Sequence, residues 1–302
     1  MAITAKTVWL DGELLPNEGA SLSLMAHAAQ RGSLVFDVGS FHPTPRGPAL
    51  FRAQEHVARL LRSARLVGLE VASDDAALVA AARAVVAACE KDEGLVRWSV
   101  FFAAREPDFV PRETRARVAV AAQLYEDPPK ISAVRLATFD DARKASPHAL
   151  DPSIKAAAAY LGPMLARRRA VRAGADEILL LDEDGFVAEA PTANVFAVVS
   201  GALWTPPLRY VLAGITRDTT LELARSEGLT VREEPLPLAA LADAEEAFLT
   251  STSLPIAPVA SLNGRAYPAA PGDVTSRLIR RLTAIQSGRD EAFDRFLTPV
   301  HG

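Results

Sequence analysis

Apolar positions along this chain switch repeatedly between a period of two and a period near three and a half. That switching predicts a mixed α/β architecture. Thr7-Val8-Trp9-Leu10-Asp11-Gly12-Glu13-Leu14 alternates around an Asp-Gly pair and predicts a hairpin. From Gln54 to Val67 the apolar residues Val57, Leu60, Leu61 and Ala64 share one helical face, while His56, Arg59 and Ser63 fall on another. Ser73-Asp74 caps a second helix that runs in an alanine-rich pattern to Cys89. Leu95 to Ala104 and Arg117 to Leu124 read as strands separated by the turn-rich Glu106 to Thr114.

Around Tyr125-Glu126-Asp127-Pro128-Pro129-Lys130 the pattern stops. The expected division is an N-terminal α/β domain over 1–126, a linker over 127–132 stiffened by its two prolines, and a larger α/β domain over 133–302. In the second half, Ala133 to Thr138, Glu177 to Asp182, Val195 to Val199 and Glu246 to Thr250 read as strands. Ala156 to Arg172 reads as a helix, and Gly214-Ile215-Thr216 opens another that ends near Gly228. The stretch from Gln286 onward mixes Arg289, Asp290, Glu291, Asp294 and Arg295 and is expected to be a solvated terminus.

Composition narrows the class. At 302 residues, with 49% hydrophobic and 23% charged residues, the chain is long enough for about two well-cored globular domains. A net charge of −4 argues against nucleic acid as a partner. Charges or prolines break every apolar stretch before membrane-spanning length, and Met1-Ala2-Ile3-Thr4-Ala5-Lys6 lacks the form of a signal peptide. The single cysteine, Cys89, permits no internal disulfide and reads as a small packed residue. These features point to the cytoplasm, and no metal site is expected.

The chain has only five lysines, and one of them, Lys155, leads an alanine run, Ser153-Ile154-Lys155-Ala156-Ala157-Ala158-Ala159-Tyr160. Apolar surroundings make an amine easier to deprotonate, and a neutral amine can attack a carbonyl. Further on come Gly185-Phe186-Val187-Ala188-Glu189-Ala190-Pro191-Thr192-Ala193-Asn194-Val195-Phe196, then Leu203-Trp204-Thr205-Pro206-Pro207, then Leu212-Ala213-Gly214-Ile215-Thr216-Arg217-Asp218. In order and spacing this set resembles the signature of the class IV aminotransferases. These are pyridoxal 5′-phosphate enzymes that include branched-chain and D-amino acid aminotransferases and aminodeoxychorismate lyase. The resemblance runs from the His27 segment to about Arg280.

The resemblance implies a two-domain fold type IV enzyme with its cofactor in the interdomain cleft, assembled as a homodimer in which the neighbouring subunit completes the substrate pocket. It assigns Lys155 as the amine that holds the cofactor aldehyde and moves the catalytic proton, and Glu189 as the carboxylate beside the pyridine nitrogen. Tyr160 matches a tyrosine bonded to the cofactor's phenolic oxygen, and Asn194 is read as structural support for the glutamate loop. Phosphate binding calls for N–H groups at a helix start plus hydroxyls or a guanidinium. Ile215 and Thr216 at the Gly-Ile-Thr turn, Thr252 in Thr250-Ser251-Thr252-Ser253, and Arg59 from the first domain are the positions matched. Arg217 is read as ordering its loop.

The resemblance also frames the substrate layer. Arg97, in Leu95-Val96-Arg97-Trp98-Ser99, aligns with a strand arginine that holds the substrate carboxylate, and an inward arginine on a strand needs an anion. Phe36, Trp98 and Ser253 are further candidates for the pocket. The chain departs from the branched-chain pattern where that has a tyrosine: Leu95 stands at one such position and Arg31 at another. Val38 separates Asp37 from Gly39, and Arg105 lies roughly where D-amino acid enzymes keep a carboxylate-binding arginine. The expected activity is transfer of the amino group of a branched-chain or other apolar L-amino acid to 2-oxoglutarate by a ping-pong mechanism. A D-amino acid or (R)-amine transaminase, or an aminodeoxychorismate-lyase-like enzyme, is the alternative on the same fold. A non-catalytic binding protein would lack a catalytic group, whereas Lys155 and Glu189 are both present.

Overall fold

The computed structural model describes residues 2–127 and 130–301. The linker prolines Pro128 and Pro129 lie outside the described residues, as do Met1 and Gly302. In chain order the first stretch contains β1 (Ala2–Leu10), β2 (Glu13–Pro16), α1 (His27–Arg31), β3 (Leu34–Thr44), β4 (Gly47–Phe51), α2 (Ala53–Leu66), α3 (Asp75–Ala87), β5 (Gly94–Phe101) and β6 (Arg117–Tyr125). Next come β7 (Val134–Ala137), α4 (Leu161–Arg172), β8 (Glu177–Ile178), β9 (Glu189–Ala190), β10 (Ala193–Val199), β11 (Ala202–Thr205) and α5 (Ile215–Ser226). The chain ends with β12 (Val231–Glu233), α6 (Leu238–Ala242), β13 (Glu246–Thr250), β14 (Ile256–Leu262), β15 (Arg265–Ala266), α7 (Asp273–Gln286) and β16 (Leu297–Pro299).

Two compact units result, but the chain does not divide between them once. One holds Met1–Pro129, Ile154–Ala158 and Ala284–Gly302; the other holds Lys130–Ser153 and Ala159–Thr283. The expected 133–302 block is corrected in two places: Lys155 belongs with the first unit, and so does the C-terminal end. The reason is backbone pairing. Lys155 donates its N–H to Ser63 Oγ (3.2 Å) and accepts from Phe36 N (3.0 Å), and Ala156 bridges to Val35. A chain held extended against β3 cannot be helical, so the helix expected from Ala156 begins only at Leu161, after a 3₁₀ turn over Ala157–Tyr160.

The first unit is built on a seven-stranded sheet in the order β16-β4-β3-β5-β6-β1-β2. Its hairpin turns as the Asp-Gly pair predicts, with Asp11 at φ 48° and Gly12 at φ 109°. Helices α2 and α3 bury Val57, Leu60, Leu78 and Val85 together with Phe41, Val96, Trp98 and Val100. Each such side chain contributes about 1.5–3 kcal/mol by leaving water. Asp74 caps α3 by accepting from Ala77 N, 2.8 Å away, as its position before the apolar run suggests. The C-terminal stretch is not merely solvated: Phe293, Phe296 and Val300 are buried, and β16 pairs with β4. Its charges are real, but aromatic residues between them supply the packing that the charge pattern hid.

The second unit has a nine-stranded sheet whose main path is β12-β11-β10-β13-β14-β7-β8, with β9 on β10 and β15 on β14. Leu179, Val195, Leu236, Leu249 and Val259 form its core. The expected strand over Glu177 to Asp182 is regular only at Glu177–Ile178; beyond it Leu181 makes isolated bridges to Arg143 and Val187. Among the described residues no helix is long and apolar enough to cross a membrane.

Candidate active site

In the first unit, strand alternation divides β3 into two working faces. Phe36 lies opposite Ser99, Val38 opposite Arg97 and Ser40 opposite Leu95. Pleating therefore puts Phe36, Arg97 and Leu95 on one face. There the Arg97 guanidinium lies 3.7 Å from the centroid of the Phe36 ring, and Lys155 Nζ lies 5.2 Å from the same centroid. One aromatic ring thus meets two cations, a contact favoured electrostatically by the ring quadrupole. Arg97 also donates to Ser99 Oγ at 3.3 Å.

The opposite face carries Asp37, which is fully buried. Its carboxylate accepts from Arg59 Nε (2.7 Å) and Nη2 (2.8 Å) as a two-pronged pair, from Val38 N (2.8 Å), and pairs with His56 Nδ1 (2.7 Å). Burial by itself would push this carboxyl up. The Arg59 charge and the hydrogen bonds from Arg59 and His56 together outweigh it and hold Asp37 far below the usual carboxylate range. His56 moves the other way for an imidazole: burial lowers its pKa more than the Asp37 contact raises it, with Arg59 and Lys155 adding to the lowering. The network fixes the plane of the Arg59 guanidinium. Asp37, which in the sequence stands out only by the spacing of Val38 and Gly39 after it, is the partner that holds Arg59; an acid one residue after Phe36 on a buried strand was the available signal.

In the second unit the register gathers three polar side chains. Glu189 lies opposite Asn194 across the β9–β10 hairpin, and Asn194 lies opposite Thr250 across β10–β13. Glu189 Oε2 accepts from Asn194 Nδ2 (2.9 Å) and Leu212 N (3.1 Å), while Lys144 Nζ pairs with Oε1. Asn194 Nδ2 also donates to Leu212 O at 3.0 Å, so one amide ties the carboxylate to the loop that leads into α5. Gly214 completes the fit: a Cβ there would overlap Asn194 Oδ1. Asn194 is therefore a strut for the glutamate. Lys144 went unnoticed in the sequence because nothing in its neighbours marks it.

Helix α5 starts at Ile215 with Gly214 as its N-cap and with no side-chain cap. Ile215 and Thr216 are nonetheless buried. A buried helix start lacking a capping side chain is a ready anion site, because its first N–H groups converge with the positive end of the helix dipole. Nearby in the sheet register, Thr250 Oγ1 is buried without a hydrogen-bond partner. The turn after it is closed by Ser251, whose Oγ donates to Leu254 O (3.0 Å) and accepts from Leu254 N (3.1 Å). Thr252 lies half-buried and Ser253 exposed in this turn. Arg217 is buried and donates from Nη2 to Pro206 O (2.9 Å) and Glu233 (3.0 Å), which ties the loop before the helix to β12.

Four further candidates have settings of their own. Arg31 donates to Pro107 O (3.1 Å) and Gln30 Oε1 (3.2 Å), and Arg105 is exposed. Trp98 is a core residue, its Nε1 donating to Leu78 O (3.0 Å) and its ring stacked on His56, so it lines no pocket. Tyr160 stands at the N-cap of α4.

In the second unit a buried, braced carboxylate and an uncapped buried helix start are groups that suit a pyridinium and a phosphate; in the first, a lysine held by its backbone next to an aromatic ring is an amine that suits an aldehyde. Each belongs to the equipment of a pyridoxal-phosphate enzyme. The model of the amino-transferase class IV family matches residues 35–262. The chain is 30% identical over 304 residues to the branched-chain-amino-acid aminotransferase of Pseudomonas aeruginosa, covering 99% of each. Among solved structures it resembles the branched-chain aminotransferase of the archaeon Thermoproteus uzoniensis with norvaline, at a TM-score of 0.94 and 30% identity over 98% of this chain and 100% of that one. It also resembles the branched-chain amino acid aminotransferase of Thermobaculum terrenum in its PLP-form, at a TM-score of 0.93 and 26% identity over 99% of each chain. The chain belongs to the class IV aminotransferases, which work with pyridoxal 5′-phosphate.

Proposed function

We propose that this transaminase moves the amino group of a branched-chain or similar apolar L-amino acid to 2-oxoglutarate in a ping-pong cycle. The observation that carries the reading is the placement of Arg97 beside Phe36 and Lys155: a guanidinium for a carboxylate, next to apolar surface and an amine. The relatives named for branched-chain substrates support it.

When bound, the cofactor supplies the carbonyl carbon that takes the amine and a ring that accepts the electrons freed at the substrate's α-carbon. The chain's own residues do the rest. Lys155 Nζ would hold the cofactor's aldehyde and move the proton at the substrate's α-carbon. Glu189, braced by Asn194 and Leu212 N, would keep the proton on the ring nitrogen. The start of α5 at Ile215 and Thr216, with Thr252 and Arg59, would hold the phosphate, and Tyr160 the phenolic oxygen. Asp37 positions Arg59. Arg97 orients the substrate carboxylate, with Phe36 and Ser253 as further contacts. Arg31 and Arg105 remain candidates for the rim of the pocket.

One observation favours a second reading, a D-amino acid or (R)-amine donor: Leu95 shares the face of Arg97 and Phe36 where the branched-chain pattern has a tyrosine. Steady-state turnover with L-leucine, D-alanine and (R)-1-phenylethylamine, each with 2-oxoglutarate, separates the two. A clear preference for L-leucine is expected, and preference for either other donor would overturn the leading reading. We further propose a homodimer in the cytoplasm. Leu24, Met25, Phe109 and Val110 support the dimer, being 61–86% exposed apolar side chains on the first unit. Light scattering at the twofold chain mass is the expected result.

A further inference from the structure

Glu189 has more partners than the brace just described. Both donors that hold it in place, Asn194 Nδ2 and Leu212 N, reach Oε2; the other oxygen, Oε1, is paired with Lys144. Asn194 is itself locked by Leu212 O and by its contact with Gly214, so the carboxylate does not need the lysine to hold its position. The lysine is nevertheless placed with care. Its N–H donates to Leu181 O at 2.8 Å, and Leu181 N donates back to Ala142 O at 2.9 Å, which pins the backbone on either side. The side chains of the pair are only 17% and 11% exposed, so solvent screens their charges weakly.

The other charged groups on the elements packed against Glu189 have their charged ends engaged elsewhere. Arg143 donates to Asp140 O and Asp182 O, and Asp182 accepts from Asp184 N and Phe186 N. Glu183 accepts from Ser146 Oγ, Arg209 lies over the Tyr210 ring, and Arg217 pairs with Glu233. Lys144 is thus the cation that Glu189 meets directly.

We propose that Lys144 is a positioning residue of the electrostatic kind, a fixed counter-charge on Glu189 that limits how tightly the carboxylate holds a proton on the cofactor's ring nitrogen. This rests on Glu189 facing that nitrogen. A lone buried carboxylate would bind the pyridinium as a full negative charge; paired with an ammonium, it presents much less net charge while keeping its oxygens as acceptors. The strength of the cofactor as an electron sink is then set by two residues rather than one. A lysine, which contacts a single oxygen, does this without taking both oxygens as a forked arginine can.

The test uses holoenzyme carrying cofactor labelled with nitrogen-15 in the ring, whose chemical shift follows the ring proton directly through a pH titration. Lys144→Met should raise the proton affinity of the ring nitrogen by about tenfold or more, a shift of about one pH unit. The comparison is repeated in a Glu189→Gln background, where the lone lysine cation should drive the proton off at lower pH and its removal should restore much of the loss. Lys144→Arg keeps the charge and should hold the midpoint nearer to wild type than Lys144→Met does, offset only by its fork on the second oxygen. Equal midpoints with and without Lys144 in the Glu189→Gln background would overturn the proposal, as would a lowered thermal midpoint and weakened cofactor binding in Lys144→Met with no change in titration, the mark of a purely structural residue. A wild-type midpoint unmoved by Glu189→Gln would instead overturn the placement of Glu189 at the ring nitrogen.

Discussion

Replacing Asp37 by asparagine removes one charge and leaves the shape of the side chain almost intact, so its consequence can be worked out from the contacts. Asp37 is fully buried and the Arg59 side chain is 10% exposed. The substitution leaves a guanidinium mostly out of water, facing an amide that can accept one of its two forked bonds. Breaking a buried ion pair from one side costs about 3–5 kcal/mol, and a large part of that is the penalty for the orphaned cation. Removing the cation as well should therefore recover stability: Asp37→Asn combined with Arg59→Met should lie about 2 kcal/mol or more above the sum of the single effects, the size expected for groups in direct contact.

The assay is urea unfolding of the four proteins of this cycle, monitored by tryptophan fluorescence, since Trp98 stacks on His56 within the network. Acid dependence gives a second reading. The folded-state pKa of Asp37 is depressed, so its contribution is fully present above the ordinary carboxylate value of about 4 and is lost as pH falls below it toward the folded value. His56, also depressed, takes up its proton more readily in the unfolded chain, so it too costs stability as pH drops below about 6.5. Asp37→Asn should flatten the loss below pH 4. Additivity within about 0.5 kcal/mol, together with an unchanged acid limb, would refute the account of Asp37 as the anchor of Arg59.

Gly214→Ala drives a methyl group into Asn194 Oδ1 and places it 3.2 Å from Arg217 Cβ, so the asparagine must move and the Glu189 brace with it; a loss of about 1–3 kcal/mol and weaker cofactor retention in equilibrium dialysis are expected, and retention equal to wild type counts against the strut. Glu189→Gln should cut turnover by about 10²–10³-fold while the far-ultraviolet circular dichroism stays the same; activity near wild type would remove this residue from the mechanism. Arg217→Met leaves Glu233 with Arg225 as its remaining ion-pair partner here and leaves Pro206 O without this donor. It should lower the unfolding midpoint and loosen the start of α5, visible as faster amide exchange at residues 206–218, and unchanged exchange there would argue against its role in ordering the loop.

What the chain's residue order determined by itself is local. The Asp-Gly hairpin, the face of α2, the Asp74 cap, strand β13 and the start of α5 at Gly214 were all legible, because each depends on neighbours within one or two turns. The family was legible too, since Glu189, Asn194 and Gly-Ile-Thr-Arg keep a spacing set by one hairpin and one helix start. Tertiary structure alone decided the rest. No periodicity within Ser153 to Tyr160 could say that Lys155 pairs with β3, because its partners Phe36 and Ser63 are about a hundred residues away. The same holds for the C-terminal Phe293 and Phe296, whose burial needs β4, and for Lys144, which becomes a partner of Glu189 only when Leu181 is bridged to Arg143. Local propensities act over a few residues; hydrogen bonds and ion pairs between distant segments form only where the whole chain's packing brings them together, and that placement selects which of its many charges meet.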